Sequence, residues 1–145
     1  MYEIWVDGSV RDGNPGIGGI ALYVKHNGIC IYKNAVMLPS RCSNNQAEYE
    51  AVIAALYYLK TNNKSKEDCI ITTDSQLVYG QVVQNWKCNF DHLRVLRDEA
   101  KRFLNNFPFS IELKLVGRFN NEIANELAQA ITEKEKLARR DNGRI

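Results

Sequence analysis

Asn27-Gly28 separates two β-rich runs, IALYVKH and ICIYKNAVML, and no other feature of this 145-residue chain constrains its fold as tightly. Asparagine followed by glycine tolerates the positive φ angles of a two-residue hairpin turn, so the two runs are expected to pair antiparallel. Upstream, YEIWVD at 2–7 alternates as a strand does, and Gly8, Gly13, Asn14, Pro15, Gly16, Gly18 and Gly19 punctuate the passage into the hairpin. Helical periodicity then takes over. From Asn44 to Lys60 apolar residues recur at Ala47, Ala51, Ala54, Ala55, Leu56 and Leu59, and Ser43 is a ready N-cap with Gln46 three residues on. CIITT at 69–73 reads as a short buried strand, Ser75 to Val83 as a short helix and Phe90 to Asn105 as a longer one. Ser110 to Val116 reads as a strand and Asn121 to Lys136 as a helix. The order βββαβααβα joins a hairpin to crossover helices, which implies an α/β domain with a mixed five-stranded sheet flanked by helices.

With 45% hydrophobic residues, a chain of this length suits one domain, expected over residues 1–136. Residues 137–145 form a charged tail ending in Asp141-Asn142-Gly143, expected to fray. A net charge of +2 is mild, so a polyanion would have to meet a local basic patch. Cys30, Cys42, Cys69 and Cys88 lack C-x-x-C spacing, and the chain opens on a strand rather than a signal peptide, so reduced thiols in a cytoplasmic setting are expected. No apolar run approaches the roughly 20 residues needed to span a bilayer. A monomer is the default.

Three acidic residues occupy equivalent places in this plan. Asp7 closes the first apolar run, Asp74 closes CIITT, and Glu48 lies near the opening of the first helix. Carboxylates at strand ends and on an adjoining helix converge when the strands are neighbours, and convergent carboxylates call for a hard divalent cation to neutralise them. Metal-assisted phosphodiester chemistry is the expected use. Taken singly, each residue has a plainer reading, as a turn-capping aspartate or an exposed helical glutamate.

DGSVRDGNPGIGGIAL, SNNQAEYEAVIAAL, ITTDSQLVYGQV and VGRFNNEIANELA follow one another at spacings that resemble the successive motifs of type 1 ribonuclease H, over residues 1 to about 131. The resemblance implies a ribonuclease H-like fold and an endoribonuclease that hydrolyses the RNA strand of RNA–DNA hybrids, leaving 5′-phosphate products. It also implies two Mg²⁺ ions, with Mn²⁺ a possible substitute. By motif position Asp7 resembles the carboxylate shared by both ions, Glu48 and Asp74 resemble ligands of the second, and Asn125 stands where the family places an aspartate ligand of the first. An amide oxygen can coordinate Mg²⁺, but one negative charge is lost. At about 5 Å and an effective dielectric near 20 that charge is worth roughly 3 kcal/mol as an upper figure, so metal affinity should fall before geometry does. A catalytically impaired hybrid-binding module of the same fold is the competing reading.

For the substrate, Asn44, Asn45 and Gln76 resemble the family's readers of the RNA 2′-hydroxyl, and their amides offer both hydrogen-bond roles. Helix capping is the plainer account of the two asparagines. Gly8 and Ser9 belong to the same substrate-facing motif as Asp7. Ser43 and Asn14 resemble a pocket for a phosphate of the DNA strand, although Asn14 before Pro15 also suits a plain turn. The loop before the last helix carries no histidine. Arg118 in that loop resembles the arginine of archaeal-type members, able to neutralise phosphate charge. The lysine-rich handle of some members is absent, with only Gln84 to Asn89 joining the second and third helices. Trp86 there suits stacking on a deoxyribose and Lys87 a phosphate, although a core position is the plainer account of the tryptophan. Lys87 with Arg94, Arg97, Lys101 and Arg102 is a candidate to replace the handle, or with Asp91, Asp98 and Glu99 a plain solvated stripe. Without one, affinity for a hybrid should be modest and strongly salt-dependent. His26 and His92 fall outside every motif.

Overall fold

Asn27 and Gly28 adopt φ angles of 51° and 81°, both positive, and β2 (Ile17–His26) returns through them as β3 (Ile29–Met37) in the expected antiparallel register. The structure, a computed structural model, describes residues 1–142. β1 (Tyr2–Arg11) pairs antiparallel with β2, while β4 (Cys69–Thr73) lies parallel on its other side, followed by β5 (Ile111–Leu115), also parallel. The sheet therefore has five strands in the order β3-β2-β1-β4-β5 with β1 at its centre, and the order βββαβααβα is the observed one.

The two faces of β1 are covered differently. α1 (Asn44–Asn62) packs on one face, where Ile4, Val6 and Ile71 of the sheet meet Tyr49, Val52 and Leu56 of the helix, all essentially inaccessible to water. Burying a side chain such as Leu56 is worth about 2 kcal/mol relative to leaving it exposed. α2 (Gln76–Val83) and α3 (Asp91–Asn106) complete that layer. On the other face α4 (Glu122–Asn142) crosses β1, β2 and β3, with its own Ala124 and Ala128 fully buried. The expected helix end at Lys136 falls short. No breaker occurs before Gly143, and an Arg139–Glu135 pair at 3.0 Å continues the helical spacing into the stretch expected to fray. Residues 143–145 of that tail lie outside the described residues. All four cysteines are free thiols. Among the described residues no helix is long and apolar enough to cross a membrane.

Candidate active site

β1 and β4 run parallel, with Trp5 opposite Thr72, so Asp7 and Asp74 emerge side by side at the same end of the sheet. α1 supplies the third carboxylate by coming unusually close to β1. A Cβ on Gly8 would fall 2.6 Å from the Glu48 backbone nitrogen, a separation that real side chains do not sustain, so only glycine fits. In the space thus saved, Glu48 Oε1 accepts the Gly8 backbone N–H at 2.7 Å. Asp7, Glu48 and Asp74 each offer an oxygen, and these oxygens all lie within 4.8 Å of one another.

Asp7 is only 3% exposed. Burial, and then the charge of Asp74, raise its carboxyl to about 7. Burial and the charge of Asp7 push Glu48 further in the same direction. The carboxyls of Asp7 and Glu48 lie against one another, and burial with mutual repulsion raises both, so without a cation the pair holds its protons above the ordinary carboxylate range. Hard oxygen donors, crowded and short of positive charge, fit a divalent cation. Asn125 on α4 also reaches this point, but as a donor: its Nδ2 lies 2.9 Å from Asp7 Oδ2. The expected amide-oxygen ligand is thus turned away. The N–H offsets part of the Asp7 charge, and reversing the amide plane would present Oδ1 instead.

The carboxylates floor a cleft of about 430 Å³ whose walls include Asn44, Ser75 and Arg118. A second hollow of about 340 Å³ continues past Asp7 to Ser9, Asn125 and Gln129, again beside Asn44 and Arg118. Arg118 opens a short 3-10 turn, Arg118–Asn121, which leads into α4. The turn is tied to β1 by the buried Asn121, whose Nδ2 donates to the Val6 carbonyl at 2.8 Å.

The other expected substrate residues are distributed around this centre. Ser43 caps α1, accepting the Gln46 N–H at 3.1 Å, and Asn14 Oδ1 accepts the Asn44 N–H at 3.0 Å, so both side-chain oxygens serve the helix N-terminus. Asn44 is exposed and lines the cleft, whereas Asn45 beside it is half-buried. Gln76 is exposed at the start of α2, and Ser9 Oγ lies 3.4 Å from Thr132 Oγ1 of α4. Trp86 is 49% exposed. Its ring rests on Gly80, where a Cβ would meet Trp86 Cε2 at 2.7 Å. Lys87 is exposed, and its carbonyl is held by Gln81 Nε2 at 3.1 Å. The basic residues of α3 are mostly engaged locally: Arg94 with Asp91, Arg97 with Asp98, and Lys101 with Asn85 Oδ1 at 3.2 Å. His26 lies at the opposite end of the sheet against Glu67.

Sequence reasoning missed Ser75, Gln129 and Asn121. Ser75 follows Asp74 directly and could have been found from its place before a helix. Asn121 gave no signal, because its acceptor is 115 residues away in the chain.

Comparison with known proteins gives the family and the fold. A family model described as reverse transcriptase-like matches residues 5–131. Ribonuclease HI of Halobacterium salinarum is 34% identical over 125 residues, an alignment covering 86% of this chain and 60% of that protein, so the chain spans about three fifths of its length. The crystal structure of RNase H1 from the same archaeon superposes with a TM-score of 0.81 at 31% identity, covering 92% of this chain and 98% of that one. LC11-RNase H1, solved in complex with an RNA/DNA hybrid, superposes with a TM-score of 0.83 at 24% identity over 93% of this chain and 99% of that one, a likeness of fold.

Proposed function

This chain belongs to the reverse transcriptase-like family and has the type 1 ribonuclease H fold, and from that premise we propose that it is an endoribonuclease cutting the RNA strand of RNA–DNA hybrids. The observation that carries the reading is the convergence of Asp7, Glu48 and Asp74, with oxygens within 4.8 Å of one another, beneath an open cleft. These residues would hold two divalent ions, Mg²⁺ or Mn²⁺ in its place, with Asp7 shared between them and Asn125 completing the first after its amide turns. Bound there, the ions would supply an activated water for attack on the scissile phosphate and Lewis-acid stabilisation of the departing 3′ oxygen, leaving a 5′-phosphate.

The chain's own groups do the positioning. Gly8 lets the β1 and α1 backbones meet, and its N–H holds the Glu48 carboxylate toward Asp7. Asn44 in the cleft wall, with Asn45 beside it and Gln76 at the start of α2, would offer donor and acceptor atoms to the RNA 2′-hydroxyls. With their oxygens capping α1, the Asn14 amide N–H groups and the Ser43 hydroxyl hydrogen would remain as neutral donors for a phosphate of the DNA strand. Gly8 and Ser9 line the path of the cleaved strand, and Trp86 and Lys87 extend the surface toward the DNA strand. Arg118, placed between the two hollows, counters charge on the phosphate. A monomer acting in the cytoplasm suits this chemistry.

One observation favours a second reading, a hybrid-binding module without turnover: Asn125 donates to Asp7 instead of facing it with an anionic oxygen. An end-labelled RNA–DNA hybrid, titrated with Mg²⁺ and Mn²⁺ beside all-RNA and all-DNA duplexes, decides between them. Cleavage confined to the hybrid and lost in Asp7→Asn supports the enzyme. Binding without cutting in either metal, with cutting gained in Asn125→Asp, supports the module. Arg118→Ala should slow turnover at saturating metal and substrate, and an unchanged rate would remove the role given to that arginine.

A further inference from the structure

A pocket of about 250 Å³ opens on the α4 face of the sheet, beside the cleft and separated from it by the 3-10 turn. Its floor is Trp5 of β1 and Tyr23 of β2, direct partners in the strand register with ring centroids 5.5 Å apart. Lys25 stands at one side with Nζ 5.5 Å from the Trp5 ring centre and 5.7 Å from that of Tyr23. Glu3 is its register partner, yet among the described residues Lys25 forms no ion pair, and its ammonium is held over the rings instead. Phe119 stands at the rim, 88% exposed. Asn121 in the wall donates to Val6 and leaves its buried Oδ1 without a partner among the described residues.

This combination is specific in what it can take. Aromatic faces beside a cation suit a base and its phosphate, since every nucleobase has a π-face and ammonium groups meet phosphates as point charges. Glu122 at the rim discourages a run of phosphates, so the pocket suits one nucleotide. Its position points the same way. Trp5 precedes Asp7 by two residues on the same side of β1, about 7 Å along the strand, and the adjacent residues Arg118 and Phe119 line the cleft and the pocket respectively. A strand leaving the cleft over the turn arrives at the pocket within a short step.

We propose that this pocket binds one unpaired nucleotide from a single-stranded flank of the nucleic acid, its base stacked on Trp5 and Phe119 and its phosphate beside Lys25. The chain would then favour junctions where a hybrid opens into single strand over uniform duplex. The flank preference rests on the proposed hybrid reading, whereas binding of an unpaired nucleotide does not.

Trp5 is its own reporter, since the chain has two tryptophans and Trp86→Phe leaves Trp5 alone. In that background, with metal chelated so that nothing is cut, Trp5 fluorescence is followed against single-stranded tetrathymidylate and its abasic counterpart. It is then followed against hybrids that are blunt, or carry 5′ or 3′ flanks with and without bases. Quenching by the base-bearing strand roughly tenfold tighter than by the abasic one is expected. A similar advantage is expected for one flanked hybrid over the blunt one. Lys25→Met and Phe119→Ser should erase both advantages, and the same two changes made with Trp86 retained and Mg²⁺ present should leave cleavage of blunt hybrid unchanged. Equal responses to base-bearing and abasic strands overturn the proposal, and so does hybrid affinity indifferent to the flank. Because the single-strand arm involves no cutting, its result stands apart from the cleavage assay that tests the enzyme.

Discussion

Glu48 and Glu67 stand at opposite ends of the sheet, and their surroundings drive the same side chain in opposite directions. Glu67 is surrounded by donors. Ser65 Oγ reaches it at 2.7 Å and His26 Nε2 at 2.9 Å, and these bonds lower its carboxyl to about 2. Glu48 has one donor, the Gly8 N–H, and otherwise faces burial and the negative charge of Asp7, which raise it. One end of the molecule completes its own charges. The other leaves a deficit of positive charge that a cation from solution can fill, which is how a binding site differs from a structural ion pair.

The largest expected effect breaks the acidic end outright. Asp7→Asn should lower hybrid cleavage by about a thousandfold or more. It should also raise the stability of the metal-free protein at pH 8 by about 1–3 kcal/mol, because a buried and repelled charge is gone. Cleavage rates and urea unfolding check the two halves, and a destabilised Asp7→Asn protein would contradict the electrostatic account. Next, Gly8→Ala leaves every charge in place but forces β1 away from α1, with an expected loss of about 3 kcal/mol in unfolding free energy and of cleavage with it. A Gly8→Ala protein of parent stability would show that the close approach is dispensable.

Asn125→Asp should act more mildly, lowering the metal concentration for half-maximal cleavage about tenfold. The same change should reduce metal-free stability by adding another carboxylate to the cluster. An unchanged metal requirement would mean that position 125 lies outside the cation's reach.

Titration sharpens the contrast at smallest amplitude. Asp7 and Glu48 have raised values in the folded protein, so their contribution to stability is full below the ordinary carboxylate range and is lost as pH rises, for Asp7 through about 7. Thermal melts should therefore show Mg²⁺ stabilisation that is small at pH 5 and grows toward pH 8. Glu67 has a lowered value, so its contribution is present above its ordinary value and is lost as pH falls through about 2. Glu67→Gln should flatten that acid limb and leave the Mg²⁺ response unaltered. A change in metal response from this distant substitution would show that the two ends are not independent.

Much of this was legible before any coordinates. The hairpin at Asn27-Gly28 and the α1 periodicity are local signals, written in neighbouring residues, and Asp7 and Asp74 could be paired because parallel strands end together. What escaped was long-range. Glycine at position 8 looks like turn composition until the α1 backbone is seen against it, and Asn121 looks solvent-facing until Val6 is found as its acceptor. Asn14 and Ser43 show a different ambiguity, since an oxygen that caps a helix and one that lines an anion pocket are chosen from the same residue types. The orientation of the Asn125 amide depends on what stands opposite it, which no local pattern encodes.

The contact between Gly8 and the backbone of α1 has a consequence for heat. Because β1 and α1 meet main chain against main chain beside Asp7 and Glu48, the backbone of the proposed cation site has no local hinge through which to loosen. Ion release on warming should coincide with cooperative melting instead of preceding it, and the Gly8 amide, held by Glu48, should exchange its hydrogen as slowly as the centre of the sheet.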